Sequence, residues 1–398
     1  MNILVFTEIY DSGGIDTFIV NLVNNWPNKT DTFKLISNNN YPGLKNIKKR
    51  SLQKLSYLQY NSELIVCNTS KNIFSKISTY FSFPLTFLRD IILFLILFKG
   101  IKYDKIIVIN GGYPGGNKCR AASIASKIIN PKALNVHNVH NLAQKKNFIS
   151  FIQESIIDLV LICVVDKFIT VSKSASQSFK HSSRLYNSNV SYIHNGVDEK
   201  KIINKNNTNL LKQIGINKND KLCLMLATFE KRKGHNFLLN AFLEVSKKIP
   251  NSKLLISGFG SKEEKKYIRH LISNLKLSKS VYLIDFQDDI DTLINRSSVV
   301  VLPSQRYESF GYVLIEAMMR KKPTIGTNVG GIPEVIKDNS TGYIVERADV
   351  KMLSRKIITI LSNSQIASML GDEGRKLYLK KFTARKMSKN YHNLLKKL

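Results

Sequence analysis

V-V-V-L-P-S-Q-R-Y-E-S-F-G-Y-V-L-I-E-A (299–317) runs from a proline-ended apolar strand, through a short loop, into a helix. Gly311 opens the helical segment, which reads from Tyr312 to Arg320. A strand end and a helix mouth placed this way converge backbone N–H groups on an anion. Glu308 sits on the loop, where it can reach the hydroxyls of a ligand. Glu316 lies well inside the helix, where an unpaired carboxylate is costly to bury. The pattern suits a nucleotide-sugar, with its diphosphate at the helix mouth and one carboxylate for each sugar ring.

Outward from this stretch, short β-branched runs alternate with helix-length segments along the whole chain. In the first half they are Asn2–Thr7, Phe33–Ile36, Leu64–Cys67, Lys105–Ile109, Lys132–Val136, Lys167–Val171 and Val190–His194. In the second they are Lys221–Ala227, Lys253–Ser257, Val281–Ile284, Ser298–Leu302, Pro323–Thr327 and Tyr343–Val345. Apolar strands between helices predict an α/β fold with parallel sheets covered on both faces. With 398 residues the chain exceeds one hydrophobic core, so two such domains are expected. The boundary is placed after Asn195-Gly196-Val197-Asp198, ahead of the polar tract 199–209. That gives a first domain over 1–197 and a second over 198–375, with a basic helix at 376–398 crossing back onto the first.

Hydrophobic residues make up 43% of the chain, which argues against wholesale disorder. The net charge of +31 predicts attraction to polyanions: nucleic acid, an anionic membrane or phosphorylated substrates. Cys67, Cys119, Cys163 and Cys223 form no C-x-x-C pair, so neither a disulfide framework nor a zinc site is expected, and a reducing compartment fits. Cys67, Cys163 and Cys223, in apolar runs, read as small buried hydrophobes. Asn2–Thr7 reads as a buried strand without a basic leader. The apolar segment 81–98 is broken by Pro84, Arg89 and Asp90, which predicts a buried or membrane-touching helix rather than a span.

Other loops on the same predicted sheet edges carry polar or flexible residues. Gly13 and Gly14 follow the first strand and precede a helix, so a ligand could approach the backbone there. Lys231-Arg232-Lys233-Gly234 follows the first strand of the second domain, where three cations could neutralise a diphosphate or simply form a solvated run. His137 and His140 follow the strand at 132–136; the spacing gives no metal site, and either could hydrogen-bond a sugar hydroxyl or serve structure. Asp289 and Asp291 are explained by the first turn of a helix. Gly258-Phe259-Gly260 and Gly330-Gly331-Ile332-Pro333-Glu334 are two further glycine-rich strand ends.

Taken together these motifs resemble the retaining nucleotide-sugar glycosyltransferases of family four, glycosyl transferases group one, with the GT-B fold. The resemblance rests on Glu308 and Glu316, Lys233-Gly234, Gly13-Gly14, the mid-domain histidine, N-G-V-D (195–198) and G-G-I-P-E (330–334). It implies two Rossmann-like domains facing across a cleft, with the donor bound mainly by the second. By that resemblance Glu308 holds sugar hydroxyls, Ser309, Phe310, Gly311 and Tyr312 meet the phosphates, and Glu316 binds the ribose. Lys233 stabilises the leaving diphosphate, Gly258 lines the donor site, and Gly13 and Gly14 close over the phosphates. His137, or else His140, contacts the donor sugar, and no metal or other cofactor is needed. The family's second phosphate-binding Arg is missing here: the corresponding positions are Ala227 and Thr228, leaving Lys231 or Arg232 as substitutes. Asp285 stands where relatives often have glycine.

The implied partners are a UDP- or GDP-linked donor and a glycan or polyprenyl-diphosphate-linked acceptor, for cell-surface polysaccharide such as capsule or lipopolysaccharide. An anionic membrane surface is expected at the cytoplasmic inner face, met by Lys45, Lys48, Lys49 and Arg50 and the helix at 85–98. A nucleotide-sugar epimerase of the same fold is the alternative enzyme. A non-catalytic nucleic-acid-binding protein is suggested only by the charge, without an aromatic-interleaved RNA motif, so nucleic acid is not expected as a partner.

Overall fold

The computed structural model describes residues 1–10, 13–51, 55–62, 73–144, 151–181, 185, 189–199, 208–287 and 289–397. They form two compact units, residues 1–196 with 384–398, and residues 197–383.

The first unit holds strands β1 (Asn2–Thr7), β2 (Thr32–Asn38), β3 (Leu55–Tyr60), β4 (Lys105–Asn110), β5 (Leu134–Val139), β6 (Lys167–Thr170) and β7 (Val190–Tyr192). All pair in parallel, in the order β3-β2-β1-β4-β5-β6-β7. Its helices are α1 (Gly14–Asn24), α2 (Leu44–Arg50), α3 (Ile73–Phe98), α4 (Asn117–Ile129), α5 (Phe151–Val164) and α6 (Lys173–Ser178). Because strands are added outward from β1 in both directions, right-handed crossovers put α1 and α2 on one face and α3, α4 and α5 on the other. Shared apolar clusters agree with that layering: Phe94 and Phe98 of α3 pack with Cys119 and Ala122 of α4, and Ile124 of α4 packs with Ile157 and Leu161 of α5.

The second unit holds β8 (Lys221–Leu226), β9 (Ser252–Gly258), β10 (Val281–Asp285), β11 (Val299–Leu302), β12 (Thr324–Thr327) and β13 (Gly342–Val345). They too are parallel, ordered β10-β9-β8-β11-β12-β13. Around them lie α7 (Thr208–Gln213), α8 (His235–Lys248), α9 (Lys262–Asn274), α10 (Ile290–Arg296), α11 (Tyr312–Met319), α12 (Ile332–Val335), α13 (Val350–Ser362) and α14 (Ser364–Lys381). The central strands are continuously apolar because helices cover both faces; Val299, Val300 and Val301 are wholly buried.

The last helix, α15 (Ala384–Lys397), returns to the first unit. There Ser388 Oγ donates to the carbonyl oxygens of Asn21 (3.2 Å) and Leu22 (3.0 Å), and Tyr391 meets Phe18 edge to face. The basic helix expected to return from residue 376 does so only from Ala384, because α14 stays with the second unit and the helix breaks at Phe382–Thr383. The expected strand Leu64–Cys67 lies outside the described residues, and the third strand found is Leu55–Tyr60. At the sheet edge β3 exposes Ser56 and Gln59, so it lacks the continuous apolar run of an interior strand.

Candidate active site

In the second sheet, β8 and β11 are neighbours from which the connections depart in opposite directions. Open α/β sheets bind ligands at the carboxyl ends of strands beside such a reversal. β8 delivers residues 227–234 there and β11 delivers 303–311. The two loops are pressed together at Gly234, whose φ is +84° and where a Cβ would lie 2.0 Å from the Pro303 carbonyl oxygen. Only glycine permits both the conformation and the approach. Gln305 N donates to the Arg232 carbonyl at 2.7 Å and fixes the register of one loop on the other.

This contact brings Lys233 Nζ to 2.6 Å from Glu308 Oε2. Glu308 is 8% exposed, and Ser304 Oγ also donates to Oε2 at 2.9 Å. Ser304 is itself held, since Thr327 Oγ1 donates to its carbonyl oxygen at 2.5 Å. Behind the carboxylate, Gly331 N donates to the Glu308 carbonyl at 2.8 Å, and a Cβ on Gly330 would stand 2.0 Å from that same oxygen. The side chain is therefore held from both ends. A charge-assisted pair on Oε2 leaves an ammonium able to meet an incoming phosphate and a carboxylate able to accept from hydroxyls.

Four residues after Glu308, α11 begins. Gly311 takes φ +95° at its N-cap, and the first N–H groups of any helix lack an intrahelical carbonyl. Ser309 and Tyr312 are half-buried beside this mouth. Phe310 contributes backbone alone, because its ring is 1% exposed and packs edge to face on Tyr312 and Phe382. Glu316 is half-buried on α11, one turn before Arg320, which pairs with Asp291.

Lys231 and Arg232 go elsewhere than to Glu308. Lys231 Nζ lies over the Tyr267 ring of α9 at 5.3 Å. Arg232 clasps Glu230 with Nε at 2.6 Å and Nη2 at 2.9 Å, and stacks on Tyr307 at 4.6 Å. Burial pushes the Glu230 carboxyl up, but bonds from Arg232 and Thr228 and the Arg232 charge outweigh it and hold it below the usual range. The positive charge of Arg232 is thus neutralised inside its own loop. Gly258 has a packing reason to be glycine, since a Cβ would lie 1.8 Å from the Ala227 carbonyl oxygen. Asp289 caps α10 by accepting from Thr292 N at 3.0 Å and Thr292 Oγ1 at 2.7 Å. Asp285, exposed at the end of β10, pairs with Lys265.

In the first unit, the corresponding reversal lies beside β1 and β4. Gly13 and Gly14 open α1 and are exposed; a Cβ on Gly13 would meet nothing within 4 Å. Asp16 folds back to accept from Gly13 N at 3.1 Å and also bonds Tyr41. His137 is not at the strand end where sequence places it. β5 continues to Val139, so His137 is a mid-strand residue, fully buried, with Ser123 Oγ 2.9 Å from Nδ1 and Asn110 Nδ2 3.3 Å from Nε2. Burial, with the Arg120 charge adding, lowers its pKa to about 3. His140 stands at the strand's carboxyl end, half-buried, with Asn138 Nδ2 3.0 Å from Nε2 and its ring edge on Phe18. Cys223 is buried as expected, whereas Cys163 is exposed on α5, and Cys67 lies outside the described residues.

Ser304, Thr327, Glu230 and Tyr307 were not singled out from sequence. Glu230, two residues before Arg232, was a legible clue that this arginine had an internal partner. Nothing local tied Thr327 to Ser304, which are 23 residues apart.

Residues 206–377 match the model of the family described as glycosyl transferases group 1. The chain is 31% identical over 208 residues to the N-acetyl-alpha-D-glucosaminyl L-malate synthase of Bacillus anthracis, covering 52% of this chain and 54% of that protein. This chain thus spans about half the length of that relative. It is 26% identical over 315 residues to the capsular polysaccharide biosynthesis glycosyltransferase CapM of Staphylococcus aureus, covering 74% and 80% respectively. The solved structure of Anabaena Alr3699/HepE in complex with UDP-glucose superposes with a TM-score of 0.76 over the full length of both chains, at 16% identity. The fold, two Rossmann-like units, is that of GT-B glycosyltransferases.

Proposed function

We propose that the chain is a retaining glycosyltransferase, moving a sugar from a nucleotide-sugar donor to a glycan or lipid-linked acceptor in cell-surface polysaccharide biosynthesis. The observation that carries this reading is the Lys233–Glu308 contact of 2.6 Å at the reversal point of the second sheet, beside the mouth of α11. Lys233 meets the charge that grows on the departing diphosphate, and the first N–H groups of α11 share it. Glu308 accepts from the donor sugar's hydroxyls and Glu316 from the ribose. With Arg232 bound to Glu230, Lys233 is the principal cation of this reading, and no metal is needed in it. Within the first unit, His140 at the carboxyl end of β5 is the histidine of this reading rather than His137, and Gly13 and Gly14 leave their backbone open to a ligand. The relationship to CapM supports the polysaccharide setting, and the UDP-glucose complex of a protein of like fold supports a uridine-linked donor.

The test is proton NMR of products formed from UDP- and GDP-sugars with glycan and lipid-linked acceptors. Transfer with the donor's anomeric configuration preserved is expected, and Lys233→Ala lowers kcat by about a hundredfold or more. An inverted product contradicts retention. An epimerised nucleotide-sugar with no acceptor product contradicts transfer itself.

A further inference from the structure

Large apolar side chains are exposed unevenly on this molecule. Among the described residues, eleven of the eighteen that are exposed lie on α3, α4 and α5, one layer of the first unit. On α3 they are Leu85, Leu88, Ile92 and Ile96, spaced three, four and four residues apart, which is a single stripe along the helix. On α5, Ile152 and Ile156 repeat the pattern at 66% and 57% exposure. Both helices already bury a separate apolar face: Phe94 and Phe98 from α3, Ile157 and Leu161 from α5. Core packing therefore accounts for the inner faces and leaves the outer ones unexplained, and an apolar area this extended marks an interaction surface.

The charges around it select the occupant. The acids of these helices are turned in or paired: Asp90 is 6% exposed, Glu154 pairs with Arg120, and Asp158 is fully buried against the Tyr113 hydroxyl. Lys99, Lys102 and Lys132 stand exposed where α3 and α4 hand over to the next strands. No helix of the described residues is long and apolar enough to cross a membrane. We propose that the outer face of α3, α4 and α5 lies on a bilayer bearing anionic lipids, with the apolar stripes in the headgroup–acyl boundary and the lysines at the phosphates. The basic segment Lys45, Lys48, Lys49 and Arg50 is not part of this surface, because α2 covers the opposite face of the sheet.

The experiment is co-sedimentation with vesicles of phosphatidylglycerol and phosphatidylcholine, or of phosphatidylcholine alone, without donor or acceptor. Wild type should bind the anionic vesicles about tenfold better, less so at high salt. Ile152→Asp/Ile156→Asp and Ile92→Asp/Ile96→Asp should each lose about tenfold in binding, with the far-UV spectrum and unfolding midpoint kept, since these side chains bear no core packing. Lys45→Ala/Lys48→Ala should change binding by about twofold at most. Aspartate variants that bind like wild type overturn the proposal, as does a wild type that ignores anionic vesicles. A dimer of wild type that the aspartates split, without vesicle binding, assigns the face to a second copy instead. Vesicle binding is read apart from sugar transfer, so either can fail alone.

Discussion

A carboxylate that is 8% exposed needs a counter-charge, and Glu308 has Lys233 at 2.6 Å and a hydroxyl from Ser304 at 2.9 Å. Both charged residues were legible in sequence, Lys233 because it follows an apolar strand and precedes Gly234, and Glu308 because it lies between an apolar strand and the helix that Gly311 opens. Their pairing was not, since 75 residues separate them. Removing Lys233 leaves Glu308 with the Ser304 hydroxyl alone, and Lys233→Ala should cost about 1–3 kcal/mol in urea unfolding at pH 7. His137 shows the opposite failure: a polar residue at an apparent strand end proved to be interior because β5 runs three residues further. Its folded pKa of about 3 lies below the usual 6.5, so the unfolded chain binds the extra proton as pH falls through that window. Stability contributed by neutral His137 is thus present above pH 6.5 and declines below it, by about 2 kcal/mol at pH 5. Comparing urea unfolding at pH 7 and pH 5, His137→Gln should lose less than wild type by about that amount; equal losses would mean that His137 is not kept neutral.

At the level of elements, the glycines of the loops at 13–14 and 330–334 separate by what surrounds them. Gly330 has φ +54° and a Cβ there would lie 2.0 Å from the Glu308 carbonyl oxygen, so Gly330→Ala must strain the turn and shift the loop that carries the carboxylate. A loss of about 2–4 kcal/mol by thermal or urea unfolding is expected, with weaker nucleotide binding alongside it. Gly13, with open space at its Cβ and extended backbone, should accept alanine at a cost of about 1 kcal/mol or less. If a donor phosphate approaches that backbone, Gly13→Ala raises KM for the donor while the unfolding midpoint hardly moves; an unchanged KM would remove Gly13 from the site. Sequence could mark both loops as turns but could not tell them apart, because the distinction lies in the Glu308 carbonyl, which packs against Gly330 from another loop, while Gly13 faces open space. In the same way, interior strands were readable as apolar runs, whereas edge strand β3, L-S-Y-L-Q-Y, is interrupted by Ser56 and Gln59 and carries neither a continuous apolar run nor a clean alternation.

On the scale of the whole molecule, the alternation of apolar runs with helices sufficed for two parallel sheets. The return of α15 to the first unit was foreshadowed by its composition, though not the break at Phe382–Thr383 that starts it. The net charge of +31 was readable from the start, but by itself it names no partner. What the loops of the first unit can bind is set by their shape, which residue types do not encode. The second unit is more explicit, because strand order fixes where its loops converge and those loops carry Lys233, Glu308 and the mouth of α11. The decisive measurement is calorimetric titration of UDP and GDP into wild type, Lys233→Ala and Glu316→Ala, each first confirmed folded by its unfolding curve. One nucleotide should bind wild type, and each substitution should weaken it by about tenfold or more. Equal affinity in all three proteins would place the diphosphate and ribose somewhere other than the Lys233–Glu308 site.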